Sequence, residues 1–137
     1  MDELRVGIDL VSVGEVLAAV ARHGDRYLER LFTEHERSCC TGEPVVVARG
    51  LAARLAAKEA TLKVLRPTRE QPEWRSIEVV RDDGGWCTLR LTGLAATLKE
   101  AAGLVDLAVS LTHEGDSAAA VVVGMRGPTA RTGERDS

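Results

Sequence analysis

Two charged side chains stand where their types do not belong. Asp9 interrupts the apolar run LRVGIDLVSV (4–13), two places after Gly7, although Asp is depleted in strands. Glu59 falls in a stripe of Ala48, Leu51, Ala52, Leu55 and Leu62 at helical spacing. A carboxylate in such a stripe must be paired, metal-bound or at an opening in the core. Lys63 follows Glu59 at i+4, which by itself is a simple helix ion pair. Arg54 and Lys58, also four apart, would by themselves be a solvated face. Together Arg54, Lys58 and Lys63 put three cations around one inward carboxylate, an arrangement suited to a hard metal ion beside a polyphosphate.

Other residues carry weaker signals. From spacing alone Asp9 reads first as a carboxylate on the solvated face of an edge strand. His113 follows an apolar strand, where a histidine is more often structural than catalytic. Arg22, Arg26 and Arg30 recur at i, i+4 and i+8 on a helical segment, either as a solvated face or as a docking patch for an acidic partner. His35 and Cys39 at i+4 could start a zinc site, but two further ligands are not in evidence.

The elements that must position these residues follow from the pattern. Residues 4–13 read as a strand, passing beyond Val13 into a helical stripe of Val16, Leu17 and Val20, interrupted near Gly24 and resuming through Leu31. Thr33 and Glu36 form a capping box for a short helix. The longest helix spans about 44–66 and is stopped by Pro67. Trp74–Arg81 and Trp86–Leu91 read as strands joined by Asp82-Asp83-Gly84-Gly85, which is hairpin chemistry. Leu94–Ala102 is a short helix ending at Gly103. Leu104–Leu111 and Ser117–Met125 are two more strands, with His113–Asp116 as their turn. The fold class is α+β: a mostly antiparallel sheet packed with one long helix and shorter helices. A single domain over 1–125 is expected, with 126–137 as a disordered tail.

Composition narrows the partners. The 137 residues fit one domain, and only four are aromatic, so Val, Leu, Ile and Ala must build the core. A net charge of −3 lacks the basic excess of a nucleic-acid binder. No apolar run is long enough for a membrane span, and no signal-peptide pattern opens the chain. Cys39, Cys40 and Cys87 fit neither a disulfide framework nor a CxxC metal pattern, as expected of a reduced, cytoplasmic domain.

GIDLVSV (7–13), FTEHE (32–36), ARLAAKEATLKVL (53–65) and SLTHEGDSAAAVVV (110–123) resemble the holo-acyl-carrier-protein synthases, the short-form 4′-phosphopantetheinyl transferases. The similarity runs from about residue 4 to 124. It implies transfer of the phosphopantetheine arm of coenzyme A to a serine of an apo acyl carrier protein, releasing 3′,5′-ADP. By alignment Asp9 and Glu59 are the ligands of Mg²⁺, for which Mn²⁺ can substitute, and Lys63 contacts the phosphate. Asp9, Glu59 and Lys63 are then the catalytic set, with Glu59 or a metal-bound water as the base. Arg54, Lys58, Lys63 and His113 align with positions around CoA. The Arg22, Arg26, Arg30 row aligns with the helix that receives the carrier's acidic recognition helix. The short form is similar to one half of a double-length relative, which implies a homotrimer with sites at subunit interfaces.

Several positions depart from the family pattern. Glu15 stands where an arginine is usual, Leu55 replaces a phenylalanine, Arg66-Pro67-Thr68 replaces a glycine-containing loop, and Gly85-Trp86-Cys87 replaces G-K-P. No metal ligand is lost, so the activity is expected to persist, with a polyketide or peptide synthase carrier as the partner. The competing readings are a catalytically impaired CoA- or carrier-binding homologue, and a structural domain in which Asp9 and Glu59 merely pair with lysines. A P-loop kinase is excluded because GxxxxGK[ST] is absent.

Overall fold

A 22-residue helix runs through the centre of the molecule, and everything else is packed around it. The computed structural model describes residues 3–128. The chain order is β1 (Leu4–Ser12), α1 (Val13–His23), α2 (Asp25–Leu31), α3 (Glu34–Ser38) and α4 (Pro44–Leu65). A 3₁₀ turn (Trp74–Ser76), β2 (Ile77–Arg81), β3 (Cys87–Leu91), α5 (Gly93–Ala101), β4 (Leu104–Glu114) and β5 (Ser117–Arg126) complete it. The sheets are β1-β5-β4 and the β2-β3 hairpin, antiparallel throughout. This is the expected α+β architecture.

Local chemistry sets the boundaries. Pro44 opens α4 where a missing N–H costs nothing, and Arg66 closes it in the left-handed conformation at φ 55°, a position that favours glycine. The Thr33–Glu36 capping box forms as expected. Asp116 ties the β4–β5 turn to the start of α1, accepting from Gly14 N at 2.7 Å and Ser12 Oγ at 2.9 Å. Ser12 Oγ in turn accepts the N–H of Glu15 as the N-cap of α1.

Three elements differ from expectation. Residues 74–76 form a 3₁₀ turn and not the start of a strand. Strand β4 continues through His113 to Glu114, so the turn is shorter. Arg126, assigned to the tail, belongs to β5 and pairs with Glu3 at 2.7 Å. Residues 129–137 of that tail lie outside the described residues.

The core is built mostly of small residues. Ala48, Ala52, Ala56, Ala57 and Ala60 on α4 are at most 1% exposed. Their size lets the sheet approach the helix closely, so a Cβ on Gly7 would land 2.1 Å from the Ala60 carbonyl oxygen. α4 is buried on nearly all sides, which overturns the expected solvated face at Arg54 and Lys58: both are buried. Lys58 Nζ contacts Glu36 Oε1 at 2.9 Å and donates to the carbonyls of Trp74 at 3.0 Å and Ile77 at 2.5 Å. Burial lowers its pKa, and the Glu36 carboxylate opposes the shift.

Candidate active site

The crossing of α4 over β1 brings Asp9, Glu59 and Lys63 together. β1 is an edge strand, as the bland reading of Asp9 requires, but its faces are the reverse of a soluble edge strand's. Gly7 and Asp9 turn toward α4, whereas Leu4, Val6, Ile8 and Leu10 are 60–68% exposed. Asp9 is therefore a half-enclosed carboxylate and not a solvated one, with its side chain 18% exposed. Lys63 Nζ donates to Ile8 O at 2.8 Å and to Asp9 Oδ1 at 3.2 Å, strapping α4 to the strand.

Asp9 Oδ2 is buried and makes no hydrogen bond within the described residues. A proton shared with the neighbouring Glu59 carboxyl, a water or a cation would satisfy it. Burial, the hydrogen bond to Asp9 and the charge of Asp9 push Glu59 up to about 7, against the pull of Lys63. Burial also pulls Asp9 upward, but hydrogen bonds with Glu59 and Lys63 outweigh it and hold this carboxyl below its usual value. Two carboxylates sharing one proton beside a lysine form a site that a hard divalent ion can enter by displacing that proton.

A second group of cations lines a cavity of about 330 Å³ between α4, the hairpin and the end of β4. Arg54 is 7% exposed and reaches this cavity; its Nη1 donates to Gly50 O at 3.2 Å, and its Nε is buried without a partner. His113 enters from β4, with Arg49 and Arg81 beside it. Arg54 and His113 thus line one cavity. Lys58 does not join them: its ammonium is fully buried and saturated by Glu36 and two carbonyls, so it is corrected from a CoA contact to an interior strut. Sequence reasoning missed Arg49 and Arg81. Each reads as an ordinary surface charge until the fold brings helix and hairpin to one cavity.

The arginine row is also rearranged. Gly24, at φ 59°, breaks the helix, leaving Arg22 on α1 while Arg26 and Arg30 lie one turn apart on α2. Arg26 and Arg30 line a surface cavity of about 620 Å³ with His23, Tyr27, Leu31 and Trp74. Burial raises the Tyr27 pKa, and the charge of Glu59 adds to the shift.

The family model of the 4′-phosphopantetheinyl transferase superfamily matches residues 5–122. The chain belongs to that superfamily. Among curated relatives, the holo-[acyl-carrier-protein] synthase of Desulforudis audaxviator is 40% identical over 92% of this chain and 95% of its own length. That of Mycobacterium sp. (strain KMS) is 45% identical over 86% and 93%. The fold superposes on an ACPS–CoA complex from Chronobacterium ammoniagenes with a TM-score of 0.80 at 32% identity, covering 91% of this chain and 98% of the other. A Mycobacterium tuberculosis acyl carrier protein synthase structure gives 0.67 at 41% identity, covering 88% and 95%. The resemblance read from the motifs and the expected fold class both hold.

Proposed function

We propose that this phosphopantetheinyl transferase moves the 4′-phosphopantetheine arm of coenzyme A to a serine of an apo acyl carrier protein and releases 3′,5′-ADP. The observation that carries the reading is the buried Asp9 Oδ2, without a hydrogen bond within the described residues, against Glu59 and Lys63 where α4 crosses β1. The relatives named above as holo-[acyl-carrier-protein] synthases and the ACPS–CoA complex support the substrate pair.

The donor set fits a hard cation. Asp9 and Glu59 would hold Mg²⁺, or Mn²⁺ in its place, and the ion would offset charge gathering on the pyrophosphate under attack. Among the described residues no group of three His, Cys, Asp or Glu side chains could cage a metal, so the remaining ligands would be water and substrate oxygens. Lys63, held by Ile8 O and Asp9, would contact the phosphate. Glu59, or a water held by the ion, would receive the serine proton. Arg54 and His113, with Arg49 and Arg81, would hold the anionic nucleotide end of CoA in their cavity.

Arg26 and Arg30, with Arg22 behind the Gly24 break, offer the carrier's acidic helix a basic surface. A polyketide or peptide synthase carrier is our reading of the partner, because Glu15, where an arginine is usual in the family pattern, is exposed in the first turn of α1. The bare face of β1 supports assembly as a homotrimer with shared sites, since four apolar side chains in a row call for a covering copy. No helix among the described residues is long and apolar enough to cross a membrane, and we place the activity in the cytoplasm.

Mass spectrometry of an apo carrier incubated with the protein, CoA and Mg²⁺ tests the reaction. A gain of one phosphopantetheine, lost with EDTA, is expected. CoA binding without any gain on several carriers would replace this reading with that of a non-catalytic homologue.

A further inference from the structure

His35 and Cys39 have the spacing of a zinc pair, yet the fold gives the histidine a different task. Cys39 Sγ lies 3.7 Å from His35 Nε2, but among the described residues no third metal ligand joins them. The nitrogen is already engaged, because the backbone N–H of Arg81 donates to it at 3.2 Å. Its one lone pair is used there, so neutral His35 carries its proton on Nδ1 and Cys39 is a packing neighbour.

This bond belongs to a clasp between α3 and the hairpin. β2 pairs with β3 on one side, so alternate N–H groups on its other edge need partners from elsewhere. Side chains of α3 supply them. Glu36 Oε2 accepts from Val79 N at 2.7 Å, and His35 Nε2 takes the next outward N–H, that of Arg81. The two rungs differ in kind. Glu36 is buried and tied to Lys58, whereas His35 is half-buried, and imidazole is the side chain that ordinarily exchanges its proton around neutrality. Arg81 is the last residue of β2, directly before the turn. Its exposed side chain runs along that turn, so a Cβ on Gly85 would lie 3.7 Å from Arg81 Nη2, and both residues line the cavity with Arg54 and His113. With no ion pair among the described residues, the guanidinium depends on its backbone for its place.

We propose that His35 is a positioning residue for Arg81: its neutral imidazole accepts the Arg81 N–H and so holds the hairpin arginine at the wall of the cavity. A proton on Nε2 turns the acceptor into a donor facing a donor, the rung opens, and the end of β2 is released. The other titratable or charged groups around His35 are Cys39 beside it and Glu78 on β2, which is paired with Arg90. From α4 come Arg54, which lines the cavity, and Lys58, which turns to Glu36. The effect on nucleotide affinity rests on the reading of this cavity as the CoA nucleotide site.

Nuclear magnetic resonance on the full-length protein reads the rung directly, and calorimetry with 3′,5′-ADP reads its consequence. From about pH 8 to about pH 6 the Arg81 amide resonance should move with the same midpoint as the His35 ring resonances. In His35→Gln, whose side-chain oxygen accepts but does not titrate, that movement should vanish. An Arg81 amide indifferent to His35, or one that titrates unchanged in His35→Gln, overturns the assignment. At about pH 8 His35→Ala should weaken 3′,5′-ADP binding about fivefold, as expected for one hydrogen bond, and His35→Gln should bind within about twofold of wild type. Toward about pH 6 wild type should lose about threefold in affinity relative to His35→Gln. Other titrating groups, the ligand's phosphates included, are common to both proteins and cancel. Equal pH profiles overturn the assignment. With Arg81→Met in place, His35→Ala should cost nothing further, and a renewed fivefold loss would overturn action through Arg81. If the wild-type protein binds no 3′,5′-ADP, the nucleotide reading falls, and the Arg81 amide alone decides the positioning role.

Discussion

Replacing Lys58 with methionine separates a structural lysine from a CoA-binding one. The ammonium is fully buried, contacts Glu36 Oε1 at 2.9 Å, donates to two carbonyls and lies 5.7 Å from the Phe32 ring centre. Glu36 is as deeply buried, and its other donors are the N–H groups of Thr33 at 2.9 Å and Val79 at 2.7 Å. Lys58→Met keeps most of the volume but leaves a buried carboxylate without a counter-charge and takes one donor from each of two carbonyls, of which Trp74 O keeps the Ile77 N–H. Breaking one partner of a buried pair costs about 3–5 kcal/mol. That is a large share of the roughly 5–15 kcal/mol that holds a domain together. Urea unfolding should therefore show a midpoint shift of that size at unchanged slope. Adding Glu36→Gln removes the stranded charge, and the double-mutant cycle should return a coupling of about 1–3 kcal/mol. The folded fraction of Lys58→Met should bind CoA within about threefold of the original affinity. Unchanged stability with CoA binding weakened tenfold or more would refute the reasoning and return Lys58 to the ligand.

Gly7→Ala should act on both stability and rate, because its Cβ would meet the Ala60 carbonyl oxygen at 2.1 Å and push β1 off α4. A loss of about 1–3 kcal/mol in thermal unfolding and about 100-fold in transfer rate is expected; a wild-type rate would mean that the Asp9 position tolerates displacement. Mg²⁺ at 100 times its dissociation constant should add about 2.7 kcal/mol of stability, and Asp9→Asn or Glu59→Gln should abolish both this gain and transfer. A variant that keeps either would remove that residue from the cation site. Arg26→Glu should raise the carrier KM far more than it lowers kcat, and an equal fall in both would move Arg26 from docking to chemistry. Ile8→Asp, placed in the exposed row of β1, should shift sedimentation to the single-chain mass; an unchanged assembly would put the interface elsewhere.

Much of the fold was readable because its signals are local. The hairpin over 82–85, the Thr33–Glu36 box, Pro44 and Pro67 each act within a few residues of themselves. The failures share a cause in tertiary structure. Alternation along residues 4–12 marks two faces of a strand but does not say which is inside, and here the apolar face is the open one. Arg54 and Lys58 have the spacing of a solvated helix face, yet alanines on the neighbouring positions let other elements close over them. Arg22, Arg26 and Arg30 keep helical spacing across the interruption at Gly24, but the backbone turns there and splits the row between α1 and α2.

The same closeness of packing lets one helix reach both the cavity under the hairpin and the carboxylate pair at β1. Arg54 and Glu59 are five residues apart on α4, about 7.5 Å along its axis. Arg54 reaches the cavity under the hairpin, while Glu59 meets Asp9 at the β1 crossing. Between them Lys58 is turned inward and tied to Glu36 on α3 and to the carbonyls flanking residues 74–77, fixing the helix against rotation. A rotation of α4 would move the arginine and the carboxylate together but in different directions relative to β1 and the hairpin. The buried lysine thus anchors α4 without touching either end, which is why its loss should appear as instability while the surviving fold still binds CoA.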